Sequence, residues 1–167
     1  FIESPNPSLK CTEAGWGFME TDADPNLQRA VRSYLQPLET CSSKLKATNS
    51  IDWYQRIDYY NRLRDQGISE YPNSEKAAEK SFRCSENTRL DEPSGACIPK
   101  GDQGGTIQCY NEEAKLWFVH AVASFGPGPC SSKGHANFYE SPTAVYDWIQ
   151  QRIYEVTGET DEDSLII

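Results

Sequence analysis

Apolar and polar positions change period several times along the 167 residues, and each change marks an element. "CTEAGWGF" (11–18) and "LQRAVRSYL" (27–35) have strand length, the second with loose alternation and a "DADPN" turn before it. "PLETCSSKL" (37–45) reads as a short helix with Pro37 at its start. From Ser50 to Gly67 the period becomes helical: Ser50 is placed to cap the start, Ile51, Tyr54, Ile57 and Leu63 recur on one side, and Gly67 is a natural stop. "SEKAAEKSF" (74–82) predicts a second, shorter helix. After Cys84 strands and turns return, with "TIQCY", "LWFVHAVASF" and "NFYE" as strands and "FGPGPC" and "CSSKGHAN" as loops. A last helix is expected over 142–157, with Ser141 as cap, Pro142 in its first turn, a stripe of Val145, Trp148, Ile149, Ile153 and Val156, and Gly158 ending it.

These elements form one domain, 11–157, because the chain has room for a single core of ordinary size. Residues 1–10 hold two prolines and read as an extended linker, and 158–167 as a solvated acidic tail. No internal repeat is visible.

Composition narrows the function classes. Apolar residues make up 37 % and the aromatics are plentiful, which is a folding composition. A formal net charge of −9 repels phosphate backbones and anionic lipid, so neither nucleic acid nor a membrane is an expected partner. The longest apolar run, "LWFVHAVASF", is too short to span a bilayer. Six cysteines, Cys11, Cys41, Cys84, Cys97, Cys109 and Cys130, are an even number without C-x-x-C spacing, which points to disulfides and an oxidising compartment rather than to a metal site. Spacing alone leaves fifteen connectivities open. No signal sequence begins the chain, so a secreted protein would be a processed form.

"CTEAGWG", "GDQGG" (101–105) followed by Cys109, "ASFGPGPC" (123–130) and "FYESPTAVYDWI" (138–149) stand in one order along nearly the whole chain. In that order they resemble the second half of trypsin-like serine proteases. The resemblance implies an all-β fold: a chymotrypsin-like C-terminal six-stranded antiparallel β-barrel with a C-terminal α-helix and a helical insertion at 46–80. It implies the pairings Cys11–Cys109, Cys41–Cys84 and Cys97–Cys130, which would leave no thiol to tether another chain.

It also implies a lost nucleophile. Active relatives carry serine where this chain has Gln103, flanked by glycines so that backbone N–H groups reach the oxyanion. Here Gly101, Asp102, Gly104 and Gly105 keep the loop, and an amide replaces the attacking group. By analogy with subtilisin, losing a triad nucleophile costs roughly 10⁶ in turnover. Ile98, Pro99 and Lys100 stand between Cys97 and Gly101 where the family has one residue, which is expected to displace the Gly101 N–H. The family's catalytic His and Asp come from the first barrel and lie outside this chain. Its two histidines, His120 in a strand and His135 in a loop, have no nucleophile beside them and read as structural or exposed.

The specificity pocket would be lined by Gly95, Ala96, Ser124, Phe125 and Gly126. Gly95 stands where trypsin-like enzymes have an aspartate, so no carboxylate awaits a basic side chain, and Phe125 replaces the usual tryptophan. Asp102 matches the carboxylate that pairs with the new N-terminus of an activated protease; in this chain it is either so paired with another chain or a local hydrogen-bonding residue. Forty-two residues separate Cys41 from Cys84, many more than in the family. Within them Trp53, Tyr54, Arg56 and Tyr60 are residue types that concentrate in binding hot spots, and equally types that pack a helix on a barrel.

The expected function is that of a secreted, extracellular, inactive serine protease homologue, a pseudoprotease that binds or regulates as cascade cofactor, carrier or decoy. One alternative is a structural subunit completed by the N-terminal β-barrel of the same precursor as a separate noncovalent chain. A further one is a hydrolase active only with a partner chain. No cofactor or metal is expected.

Overall fold

Alternation in "KCTEAG" puts Cys11 and Glu13 on one side of a strand and Lys10, Thr12 and Ala14 on the other, and the fold keeps that division. In a computed structural model, which describes residues 9–16, 26, 28–48, 50–68, 73–86, 101–126 and 136–158, β1 runs Lys10–Gly15 and β2 Arg29–Ser33. Three helices follow: α1 Leu38–Thr48, α2 Ser50–Asp65 and α3 Ser74–Lys80. Then come β3 Phe82–Glu86, β4 Thr106–Asn111, β5 Leu116–Phe125 and β6 Ala136–Glu140. A 3-10 turn, Pro142–Val145, leads into α4, Tyr146–Thr157.

All six strands form one antiparallel sheet in the order β2-β1-β4-β5-β6-β3. Its two edges touch just beyond β2, where Leu35 bridges Ser85 and the Gln36 N–H donates to the Cys84 carbonyl at 3.0 Å. This strand-rich half-barrel with a C-terminal helix is compatible with a chymotrypsin-like fold.

Two apolar clusters occupy the two faces of the sheet. Inside the curl lie Cys11, Leu35, Ile107, Cys109, Ala121, Ala123 and Tyr139. On the outer side of β3 and β6, Phe82, Cys84, Ala136 and Phe138 pack against Cys41, Leu45, Trp53 and Ala78 of the helices. Each cluster contains a disulfide. Cys11–Cys109 joins directly paired residues of β1 and β4, and Cys41–Cys84 ties α1 to β3. Cys97 and Cys130 lie outside the described residues, as do 1–8 of the linker and 159–167 of the tail.

The structure corrects several expectations. The helix expected over 74–82 ends at Lys80, because Phe82 and Cys84 are strand residues turned into the outer cluster. Its start is fixed by Asn73, whose side-chain oxygen accepts from the N–H groups of Glu75 and Lys76. The insertion boundary at 46 falls inside α1. The C-terminal helix begins as a 3-10 turn, and Ser141 makes no side-chain cap: its hydroxyl lies 2.7 Å from that of Thr143, while its N–H is drawn back to the Ser81 carbonyl. Gly158 does end the helix, at φ 73°.

The α4 stripe is left largely uncovered. Trp148 is 59 % and Val156 84 % exposed, Ile149 and Ile153 are half-buried, and no residue of α4 is buried.

Candidate functional site

The "GDQGG" loop, expected as the remnant of a catalytic centre, enters β4 and is held from three sides. Gly104 N–H donates to the Ala123 carbonyl at 2.8 Å and Ala123 N–H to the Gly105 carbonyl at 2.7 Å, which pins the loop to β5. Gly105 N–H closes a tight turn on the Asp102 carbonyl at 3.0 Å. Gly101 and Gly104 have φ of 106° and 88°, conformations that strongly favour glycine. The Asp102 carboxylate accepts from the Trp16 N–H at 3.1 Å and lies so close to Gly15 that a Cβ there would overlap it. That approach explains the first glycine of "AGWG"; the second, Gly17, lies outside the described residues.

Gln103 is exposed and its side chain folds back on the loop, its Oε1 accepting from the Gly101 N–H at 3.1 Å. An amide oxygen thus engages the backbone donor that the resemblance assigns to an oxyanion. Ile98, Pro99 and Lys100 lie outside the described residues.

The expected pocket residues are only partly described. Gly95 and Ala96 lie outside; Ser124, Phe125 and Gly126 are half-buried at the end of β5. Phe125 stacks on Phe138 with ring centroids 5.0 Å apart, so the ring leans toward the outer cluster.

The four insertion residues singled out as a binding surface divide unequally. Trp53 is 3 % exposed and meets Phe82 edge-on, with the Lys46 ammonium 4.5 Å from its ring centroid. Tyr60 packs at the margin of the same cluster. Arg56 holds Glu140, the last residue of β6, with both Nη atoms, one of them at 2.9 Å, and its Nη1 also donates to the Ser81 hydroxyl at 3.1 Å. Burial works against the Arg56 charge, and the Glu140 bond and charge, together with Tyr60 and Asp52, more than offset it. Of the four only Tyr54, 67 % exposed, faces outward. Three of the four residues serve to attach the helix itself.

That attachment is testable. Arg56→Ala should lower stability by about 1–2 kcal/mol, more than a surface pair, because Arg56 is mostly buried, and less than a fully buried one, because Glu140 is nearly half exposed. Urea denaturation of the two proteins measures it.

Inside the curl stands a group that sequence reasoning passed over. Glu13 is 7 % exposed and faces Ile107 in the β1–β4 ladder. The Tyr139 hydroxyl donates to its Oε2 at 2.9 Å, and Ser85 Oγ lies 3.0 Å from the same hydroxyl. Burial pushes the Glu13 carboxyl up to about 7; the Tyr139 hydrogen bond pulls it down, and the Asp102 charge adds to the rise. The signal was the alternation itself, which puts Glu13 on the side of Cys11. His120 is buried against Phe118, and burial, with Arg83 nearby, pulls its imidazole down to about 4, so it is neutral at ordinary pH. Among the described residues no group of three or more His, Cys, Asp or Glu could hold a metal ion.

A curled six-stranded antiparallel sheet, two disulfides among the described residues and a glycine loop pinned between its first and fifth strands are compatible with a chymotrypsin-like fold. Comparison with known proteins gives a likeness to a protease. The chain is 24 % identical over 140 residues to the CLIP domain-containing serine protease HP8 of Bombyx mori, a match covering 84 % of this chain and 30 % of that protein. It therefore spans about a third of that relative's length. No family model matches.

Proposed function

We propose that this chain is the second-barrel portion of a secreted, catalytically inactive serine protease homologue that acts by binding or regulation. The observation that carries the reading is Gln103: at the position the resemblance gives to the nucleophile, its amide oxygen takes the Gly101 N–H instead of leaving it for a substrate. An amide cannot attack a carbonyl, and a filled donor cannot stabilise an oxyanion. Two disulfides, and the lack among the described residues of any helix long and apolar enough to cross a membrane, support an extracellular setting.

The test is restoration. Gln103→Ser should turn over a peptide ester no faster than a heat-inactivated control, since Ile98, Pro99 and Lys100 still precede Gly101 and neither His120, buried in its strand, nor any other described histidine stands beside position 103. Turnover well above the control, or labelling of the unaltered protein by a serine-directed reagent, would overturn the reading in favour of a hydrolase.

A second reading, an interaction subunit completed by a preceding barrel of the same precursor, is favoured by the uncovered apolar faces. The α4 stripe is exposed, and on the β4–β5 hairpin Leu116, Trp117 and Val119 are each about half exposed or more. Native mass spectrometry of unreduced material tests it: a stoichiometric second chain supports the subunit, and a lone 18.8 kDa species refutes it.

A further inference from the structure

Glu13 and Asp102 approach one stretch of β1 from opposite ends. Glu13 lies on the strand face turned into the curl, and Gly15, two residues on and on the same face, is covered by the Asp102 carboxylate. Successive residues on one face of a strand are about 7 Å apart. Asp102 in turn gives the loop its anchor, through the Trp16 N–H. For a buried carboxyl with a carboxylate as neighbour, desolvation and like charge favour the neutral form, and the hydrogen bond from the Tyr139 phenol offsets this only in part.

We propose that Glu13 is a proton-operated latch on the Gly101–Gly105 loop. With its proton, Glu13 lets the Asp102 carboxylate rest on Gly15 and hold the Trp16 amide. When the proton leaves to solvent, two negative charges share one strand face with little water between them, and the less buried one, Asp102, moves away. Its departure withdraws the anchor of the loop and the turn that Gly105 closes on it. The latch sets the order of the loop by ambient pH, and it operates whether or not the Gln103 site is inert.

Among the described residues, no cation acts on Glu13. Tyr139 faces it from β6 and is bonded to Ser85 of β3, Asp102 faces it from the loop, and its ladder partner Ile107 of β4 is apolar. The buried cation Arg83 of β3 acts on His120 of β5 rather than on Glu13.

Linkage gives the sign. Between pH 4.5 and about 7 the native protein keeps a proton on Glu13 that the unfolded chain has lost, so stability from this group is full below 4.5 and falls as pH rises toward 7. His120 works the other way between about 4 and 6.5, where the unfolded chain binds the extra proton, and is silent above. The ratio of folding constants, Glu13→Gln over the natural chain, should therefore grow roughly a hundredfold from pH 4.5 to 7.

The decisive experiment is amide hydrogen exchange on the disulfide-intact chain between pH 6 and 8, corrected for intrinsic exchange, with the Glu13 carboxyl carbon followed by NMR. Protection at Gly104 and Gly105 should fall about tenfold or more in the natural chain, while amides of the β3–β6 ladder keep theirs, and the carboxyl should titrate near 7. Glu13→Gln should hold its loop protection across the range. Constant protection in the natural chain, the same fall in Glu13→Gln, or a carboxyl titrating below pH 5 would each overturn the latch. Two of these readings need no variant, so if Glu13→Gln failed to fold, the natural chain alone would still decide between latch and no latch.

Discussion

Trp53→Ala should destabilise the protein by about 3–5 kcal/mol, the range for emptying a buried tryptophan site. Trp53 is at the centre of the outer cluster, between Phe82 on the sheet, Leu45 and Ala78 on the neighbouring helices, and the Lys46 ammonium above its ring. Removing it leaves a cavity walled by three elements that the Cys41–Cys84 disulfide and the Arg56–Glu140 pair hold in place, so the site collapses poorly. Tyr54→Ala, one residue along the same helix and facing water, should stay within about 0.5 kcal/mol. Urea denaturation of both variants checks the contrast. Equal losses would mean that the helix does not present this face to the sheet.

Removing the Cys41–Cys84 bridge by paired alanines should cost about 4 kcal/mol by the chain-entropy estimate for a loop of this length. The bridge closes the loop that contains α2 and α3, so without it the unfolded chain regains the freedom of that whole loop. Both sulfurs are buried, and alanine adds a small void. The loss should appear as an earlier thermal midpoint with α1 as the first element to lose exchange protection. A loss below about 1 kcal/mol would show that helix packing alone closes the loop.

What the sequence disclosed and what it hid separate along physical lines. α2 was legible because a helix of this length carries its own period and stop, and β5 because ten apolar-rich residues between turn signals leave little choice of bounds. β3 was hidden: five residues with Arg and Glu among them do not alternate visibly, and the preceding helical run swallowed Phe82. The role of Trp53, Arg56 and Tyr60 was ambiguous by nature, since binding surfaces and cores draw on the same residue types. Only the partner of Arg56, 84 positions away at Glu140, decides it. The α4 stripe was legible as a stripe, but whether a stripe is covered depends on what lies opposite, which no local pattern records. In the candidate site, the loop and Gln103 could be read directly. The fold-back of the amide onto Gly101 and the approach of Asp102 to Gly15 are matters of backbone turn and register.

The helices on the outer side of β3 have changed what that strand is. Phe82 to Ser85 are all buried, two toward the helices and two toward the curl, so a strand at the end of the sheet carries the double-sided burial of a central one. Such a strand is no longer independent of what covers it. A shortened chain lacking α1 to α3 would present Phe82, Ala136 and Phe138 to water along an open margin, an invitation to sticky self-assembly. Helices and strands are therefore coupled: with the sheet's outer face apolar beneath the helices, removing them in one step would not be a neutral change unless the strands were made polar at the same time.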